Sequence, residues 1–379
     1  MVILMSWDKV REDFEILKEI TYLNTASVGL LPKKSRERVL EWLNERGYGN
    51  LYWMRWYEES KRVKELFAKL INASPEEISL VENTSMGLNL VANSIKWERG
   101  DNIVINDMEF PANVFPWQVQ ARKHGLEIRV VRSKNGVLDI NDYQRLTDEH
   151  TKVIAVSWVE FSNGFVHDLK ALSEIAHDVG AFLVVDGIQG VGALKLDVKK
   201  SGVDFLVCGG HKWLLGLSGA GLMYIKKEVL DELDISFGGW LADKNPSDFT
   251  YREYKPAEDA RRFELGSPSF IGYYALSASL EYILSLGIDA IEKRDLELAS
   301  YLIERMRIIA GVASPLKDGE PLSPIISLEI PNANEVAKVL WEKSGIRVSA
   351  RLGRIRVSPH FYNNEEDIDK LYYELKRIL

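Results

Sequence analysis

Two residues of this chain stand out for chemistry: a lysine flanked by glycines, and a carboxylate closing the apolar run before it. Lys212 lies in Cys208-Gly209-Gly210-His211-Lys212-Trp213, downstream of Asp186, which ends Ala181-Phe182-Leu183-Val184-Val185. The pair suits an enzyme that holds pyridoxal phosphate. A carboxylate at a strand end keeps the pyridine nitrogen protonated, and the lysine amine forms a Schiff base with the aldehyde. Together they make an electron sink for the α-carbon of an amino acid. Gly209 and Gly210 let the backbone approach a ligand. Desolvation of Lys212 lowers its pKa, so that the amine serves first as nucleophile and then as proton shuttle. Gln189, on the same turn as Asp186, reaches toward a phenolic oxygen. Each has a plain reading when taken alone: a turn-capping Asp, a loop amide, a solvated lysine.

Upstream, Glu82-Asn83-Thr84-Ser85-Met86-Gly87 puts two hydroxyls where a helix begins. Free N–H groups and the positive helix end make that a phosphate cradle, with His211 as a further donor. Ordinary N-capping explains the segment equally well. Other chemistries lack their parts. Gly216-Leu217-Ser218-Gly219-Ala220-Gly221 precedes a strand, so it is no dinucleotide fingerprint. His124, His150, His167, His177, His211 and His360 show no paired metal-ligand spacing, and no metal is expected. A Gly-x-Ser-x-Gly elbow is absent.

The elements that must position these residues alternate between strand and helix. Apolar runs predict strands at 102–106, 127–131, 152–158, 181–185, 204–207 and 221–225. Leu88, Val91, Ala92 and Ile95 fall at helical spacing. So do Leu169, Leu172, Ala176 and Val179, opened by Asp168 and stopped by Gly180. Such alternation predicts an α/β fold with a largely parallel sheet covered on both faces, ligands sitting at strand carboxyl ends. After about residue 285 the texture changes to a smaller α+β unit. It holds a long helix over 295–310, a strand over 323–330 and a helix over 336–341. A hairpin of 346–348 with 354–357 and a final helix follow. The division drawn is 17–284 for a large domain and 285–379 for a small one, with 1–16 packing on the latter.

The totals narrow the function classes. The chain has 379 residues and a formal net charge of −8 with no basic run, which makes nucleic acid and anionic membrane poor partners. No stretch approaches the roughly 18 apolar residues of a span, and the first residues carry too short an apolar run for a secretory leader. The single cysteine, Cys208, excludes a disulfide framework. A cytoplasmic location is expected.

Several motifs occur together in order: Thr84-Ser85-Met86-Gly87-Leu88-Asn89, Glu109-Phe110-Pro111-Ala112-Asn113, Asp186-Gly187-Ile188-Gln189, Gly210-His211-Lys212-Trp213 and Phe263-Glu264-Leu265-Gly266-Ser267-Pro268. With Tyr22-Leu23-Asn24-Thr25-Ala26 near the start and Arg356-Val357-Ser358-Pro359-His360-Phe361-Tyr362-Asn363 near the end, the chain resembles the class V aminotransferases. Cysteine desulfurases, isopenicillin N epimerase-like proteins and kynureninases are among that family's pyridoxal-phosphate enzymes. The resemblance implies a fold type I transferase, with a mainly parallel seven-stranded sheet between helices and a smaller C-terminal domain. It implies that Lys212 carries the cofactor, Asp186 meets the ring nitrogen and Gln189 the phenolic oxygen. Thr84, Ser85 and His211 would hold the phosphate, and Phe110 would stack on the ring. Ser267 would reach the phosphate of a neighbouring subunit, hence a homodimer. Arg356 would bind the carboxylate of a small amino-acid substrate, with Asn24 and Ala26 beside it.

The departures bear on the reaction. Desulfurases carry a thiol on a loop before the arginine; here Ser349-Ala350-Arg351-Leu352-Gly353-Arg354 is contracted and lacks cysteine. Phe110 replaces their stacking histidine, Gly209 a phosphate-binding serine, and Phe161 a frequent asparagine. Amino transfer is therefore the favoured expectation, with Lys212 as lone shuttle. A desulfurase-like or kynureninase-like lyase and an epimerase are the alternatives, and a non-catalytic scaffold comes last.

Overall fold

In the computed structural model, residues 6–379 are described. Seven strands form the main sheet: β1 (Ile78–Val81), β2 (Asn102–Asn106), β3 (Glu127–Val131), β4 (Thr151–Ser157), β5 (Phe182–Asp186), β6 (Phe205–Gly209) and β7 (Gly221–Ile225). Their order is β1-β7-β6-β5-β4-β2-β3. Pairings from β6 through β5, β4 and β2 to β3 are parallel. Only β7 runs against its neighbours, β1 and β6. The helices of ten or more residues are α1 (Lys33–Arg46), α2 (Trp53–Ile71), α3 (Thr84–Ser94), α4 (Phe115–His124), α5 (Leu169–Asp178), α6 (Phe270–Leu286), α7 (Ile288–Met306), α8 (Ala333–Ser344) and α9 (Glu365–Ile378).

The strands read as continuous apolar runs because both faces of the sheet are covered. Ile154, Val156, Leu183, Val185 and Leu206 face one layer, where α2, α5 and α6 supply Phe67, Leu172 and Leu276. Their neighbours Val153, Ala155, Val184, Phe205 and Val207 face the other, against Leu88 and Val91 of α3 and Trp117 of α4. Side chains alternate between the layers, as period-two geometry requires. The edge strand β3 is the exception and keeps its middle residues half-exposed.

Four antiparallel strands make the smaller sheet: β8 (Gly311–Val312), β9 (Ile326–Glu329), β10 (Ser349–Arg351) and β11 (Arg354–Val357), in the order β10-β11-β9-β8. Its core joins Leu328, Ile355 and Val357 to Leu302 of α7, Leu340 of α8 and Leu371 of α9. Gly287, at φ 83°, turns the chain by 82° between α6 and α7, close to the boundary read from the sequence.

One expected pairing is corrected here. Arg354–Val357 pairs not with 346–348 but with Ser349–Arg351, across a two-residue turn. Ile346 and Arg347 pair instead, in parallel, with Thr21 and Tyr22. The chain continues through a bridge between Asn24 and Ser358. That graft carries residues 24–28 from the N-terminal end to the rim of the main sheet. A strand whose partner lies more than 300 residues away leaves no local sequence signal.

Candidate active site

The carboxyl ends of β5 and β6, with the turn after β4 and the start of α3, enclose a cleft of about 320 Å³. Its lining includes Thr84, Ser85, Phe110, Asp186, Gln189, His211, Lys212 and Arg356, residues that the sequence singled out, together with Ala26. Asn24 does not line this cleft. It stands one step behind, accepting a hydrogen bond from the Ser27 hydroxyl at 2.8 Å, and lines an adjoining groove. Ser267 lies in a different cleft, beside Glu82 and Gly219.

Asp186 is the last residue of β5 and 2% exposed. Its Oδ1 accepts the Ile188 amide at 2.9 Å, the one hydrogen bond this carboxylate receives from the described residues. Burial pushes its carboxyl up to about 6, against the pull of that amide and of the Lys212 charge. A buried acid with one oxygen left over fits a ligand that presents a protonated ring nitrogen.

Lys212 is half-buried, in the loop between β6 and β7. Burial lowers its amine to about 8; Asp186 works the other way, and the charges of Arg356 and Arg351 add to the lowering. The loop itself is tightly built. Leu215 N–H closes onto the Lys212 carbonyl at 3.0 Å, with Leu215 at φ 56°, the left-handed region that a buried leucine rarely adopts. Gly29 N–H donates to the His211 carbonyl at 2.9 Å, and a Cβ at Gly29 would sit 2.0 Å from the Lys212 carbonyl oxygen. Only glycine permits that approach.

Around these two, the remaining groups are held in place by one another. Asn83 caps α3 by accepting Met86 N–H at 2.9 Å, so the helix opens onto the cleft. Thr84 Oγ1 accepts the Gly209 amide at 2.9 Å and thereby ties the helix start to the end of β6. Gln189 Nε2 donates to the Ala26 carbonyl and its Oε1 accepts Trp213 Nε1–H, both at 3.0 Å, which fixes the amide. Phe110 meets Phe161 edge-on at 5.2 Å and lies 5.9 Å from Lys212 Nζ, nearly half of it exposed. His211 is kept below the ordinary imidazole range by burial and by Lys212.

Arg356 is 2% exposed. Its Nη1 donates to the Phe161 carbonyl at 2.8 Å and its Nη2 to Ser27 Oγ at 2.7 Å, while Nε has no partner among the described residues. Burial, with Arg351 adding, lowers it toward about 9, so it remains cationic at neutral pH. Behind the cleft two further acids are buried. Glu109 accepts from Asn106, Asn113 and both the amide and hydroxyl of Ser157, whereas Glu160 has neither oxygen paired. Burial raises both, with the Asp186 charge adding to each and the Glu109 charge adding to Glu160.

A family profile described as Aminotransferase class-V matches residues 46–371. The chain belongs to that family. Its fold is the type I fold of pyridoxal-phosphate enzymes, and its cofactor is pyridoxal phosphate. Among its relatives is a probable cysteine desulfurase of Methanothermobacter thermautotrophicus, 31% identical, with the match covering 100% of this chain and 99% of the relative. Another, an uncharacterised aminotransferase YcbU of Bacillus subtilis, is 30% identical over 95% of each. The solved apo structure of a cysteine desulfurase from Thermococcus onnurineus NA1 superposes with a TM-score of 0.91 at 28% identity, covering 100% of this chain and 99% of that one.

Ser27, Gly29, Trp213 and Arg351 escaped the sequence reading. The first two lie just past the quoted Tyr22–Ala26 motif, and a Gly two residues beyond a small-residue turn was the available signal for Gly29. Trp213 was quoted for its motif, without its bond to Gln189.

Proposed function

We propose that this class V enzyme cleaves a substituent from the β-carbon of an amino acid, as a lyase that does not park sulfur on a thiol of its own. What carries the reading is the sole cysteine. Cys208 is 1% exposed within β6, and burial pushes its thiol far above its ordinary range, so it serves as a small apolar residue. The desulfurase relatives favour bond cleavage over amino transfer, yet a persulfide route needs an accessible thiolate, and the β10–β11 turn has none. Amino transfer is the second reading, favoured by the name of the Bacillus subtilis relative.

Pyridoxal phosphate, when bound, supplies a carbonyl carbon that condenses with amines and a cationic ring that takes up electron density from an α-carbon. Thr84, Ser85 and the first turn of α3 would hold its phosphate, with His211 as a further donor. Phe110 would cover the ring, and Gln189 keeps a second amide proton for its oxygen substituent. Asp186 would hold the proton on the ring nitrogen. Lys212 would hold the group through its amine and, once freed by a substrate amine, would be placed to take the α-proton. An amine near 8 both yields its proton and regains one around neutral pH. Arg356 orients the α-carboxylate by a two-pronged contact. Once Lys212 held the α-proton, the electron pair left at the α-carbon would form a double bond to the β-carbon as the β-substituent departed with its own bonding pair.

We place the functional enzyme as a homodimer, Ser267 serving the site of the neighbouring subunit. Ser267 lines a separate groove from the Lys212 cleft of its own chain, which supports this arrangement. Sedimentation should give twice the 43.1 kDa chain mass, and a monomer would remove the role of Ser267. The reaction is tested by incubating the loaded enzyme with amino acids bearing β-leaving groups and no 2-oxo acid. A lyase releases its products over many turnovers. A single stoichiometric turnover, restored by adding a 2-oxo acid, would establish amino transfer instead.

A further inference from the structure

Two guanidinium groups in the cleft, Arg351 and Arg356, have no carboxylate partner among the described residues. On the β10–β11 hairpin, Arg354 pairs with Glu329 at 3.7 Å, and Arg356 is held by Phe161 and Ser27. Arg347, just before it, lies over the Trp341 ring at 5.5 Å. Arg351 Nη1 reaches only its neighbour's carbonyl, Ala350 O, at 2.8 Å, and no Asp or Glu pairs with it among the described residues. Its Nη2 lies 3.5 Å from Ser27 Oγ, the hydroxyl that Arg356 Nη2 reaches at 2.7 Å. Two guanidinium groups thus converge on one corner of the cleft, with Lys212 close enough that the Arg351 charge opposes protonation of both Lys212 and Arg356. Among the described residues, Asp186 is the only carboxylate lining the same space.

The charges do not balance for a substrate with a single carboxylate. The phosphate-binding groups stand at the α3 end of the cleft, and one α-carboxylate matches Arg356. Arg351 then remains unmatched. Its position is also fixed, since Arg351 and Arg354 are the last pair before a turn with Leu352 at φ 48° and Gly353 at φ 77°. Both values belong to the tight type I′ turn, and a leucine there is strained, as backbone often is beside functional groups. Planar guanidinium forks suit carboxylates and their relatives better than any other side chain does.

We propose that Arg351 is a specificity-determining residue that binds a second anionic group, so that the substrates are amino acids with an acidic side chain. The proposal rests on the amino-acid site described above and names its substrate class. The test uses cofactor-loaded protein and two four-carbon acids that lack an amine, succinate and butyrate, titrated by calorimetry. The wild type should bind succinate at least about tenfold more tightly than butyrate. Arg351→Gln should bring the ratio close to one, and Arg351→Lys should keep part of it. Equal affinities in the wild type would overturn the proposal. So would an Arg351→Gln variant that weakens both acids by the same factor, since Arg351 would then share the common carboxylate with Arg356. Either result leaves the cofactor assignment standing. Failure of the same preparation to hold the cofactor on Lys212 would remove that assignment without altering the ratio.

Discussion

Asp186 and Lys212 line the same cleft, and each shifts in the direction that burial dictates. The carboxyl rises to about 6 and the amine falls to about 8. For Asp186 the folded value lies above the unfolded 3.8, so its contribution to stability is complete below pH 3.8 and lost as pH rises through about 6. In the cofactor-free protein at neutral pH that loss amounts to about 3 kcal/mol. Asp186→Asn should therefore raise the melting temperature of the cofactor-free protein while abolishing tight cofactor binding. Unchanged stability would mean that the carboxylate is better solvated than its surroundings indicate. Capture of added pyridoxal phosphate by Lys212 needs a neutral amine, so its rate should climb as pH passes through about 8 and level off above it. At this scale the sequence was largely legible: residue type and motif order pointed to Lys212, Asp186 and Arg356. Ser27 and Arg351 were not, because their meaning lies in sharing one hydroxyl across a separation of 324 positions.

The strands and helices of the main sheet were legible because each has its own period. Asp168 caps α5 by accepting Ala171 N–H at 3.1 Å, the contact its placement before Leu169 foretold. The hairpin was harder, since Ile346–Val348 is as apolar and β-branched as a true partner of Arg354–Val357. The positive-φ pair Leu352-Gly353 decides the register, and Leu352 carries no turn signal. Leu352 is 75% exposed, so replacing it loses little packing. Leu352→Gly or Leu352→Asn should stabilise the protein by about 1 kcal/mol, read from chemical denaturation. A destabilised variant would show that the leucine is held by contacts outweighing its backbone strain.

Over the whole molecule, buried charge sets how stability responds to pH. Glu109 is satisfied by four hydrogen bonds and Glu160 by none, so the proton of this pair resides on Glu160. Because both carboxyls are raised above their unfolded values, they favour folding in acid and cease to do so as pH rises. Glu160→Gln should raise the melting temperature near about pH 8 and leave it nearly unchanged near about pH 4. An equal shift at both pH values would contradict the assignment. The joint between the two sheets has its own buried pair, His360 Nδ1 and Asp295 Oδ2 at 2.7 Å, both fully buried, with His360 edge-on to Trp213 at 5.0 Å. Removing one partner, as in Asp295→Ala, should cost about 3–5 kcal/mol. A loss under about 1 kcal/mol would place the joint's strength in the aromatic cluster instead. Neither pair could be read from the sequence, where a Glu after a strand and a His in a C-terminal loop look like surface residues.

The central claim is that one amine, at position 212, holds the cofactor. Reducing the pyridoxal-phosphate-loaded protein with borohydride and mapping its peptides by mass spectrometry tests it most directly. The modification should fall on Lys212 alone, at close to one per chain, and vanish in Lys212→Ala. Label on another lysine, or none at all, would contradict the account.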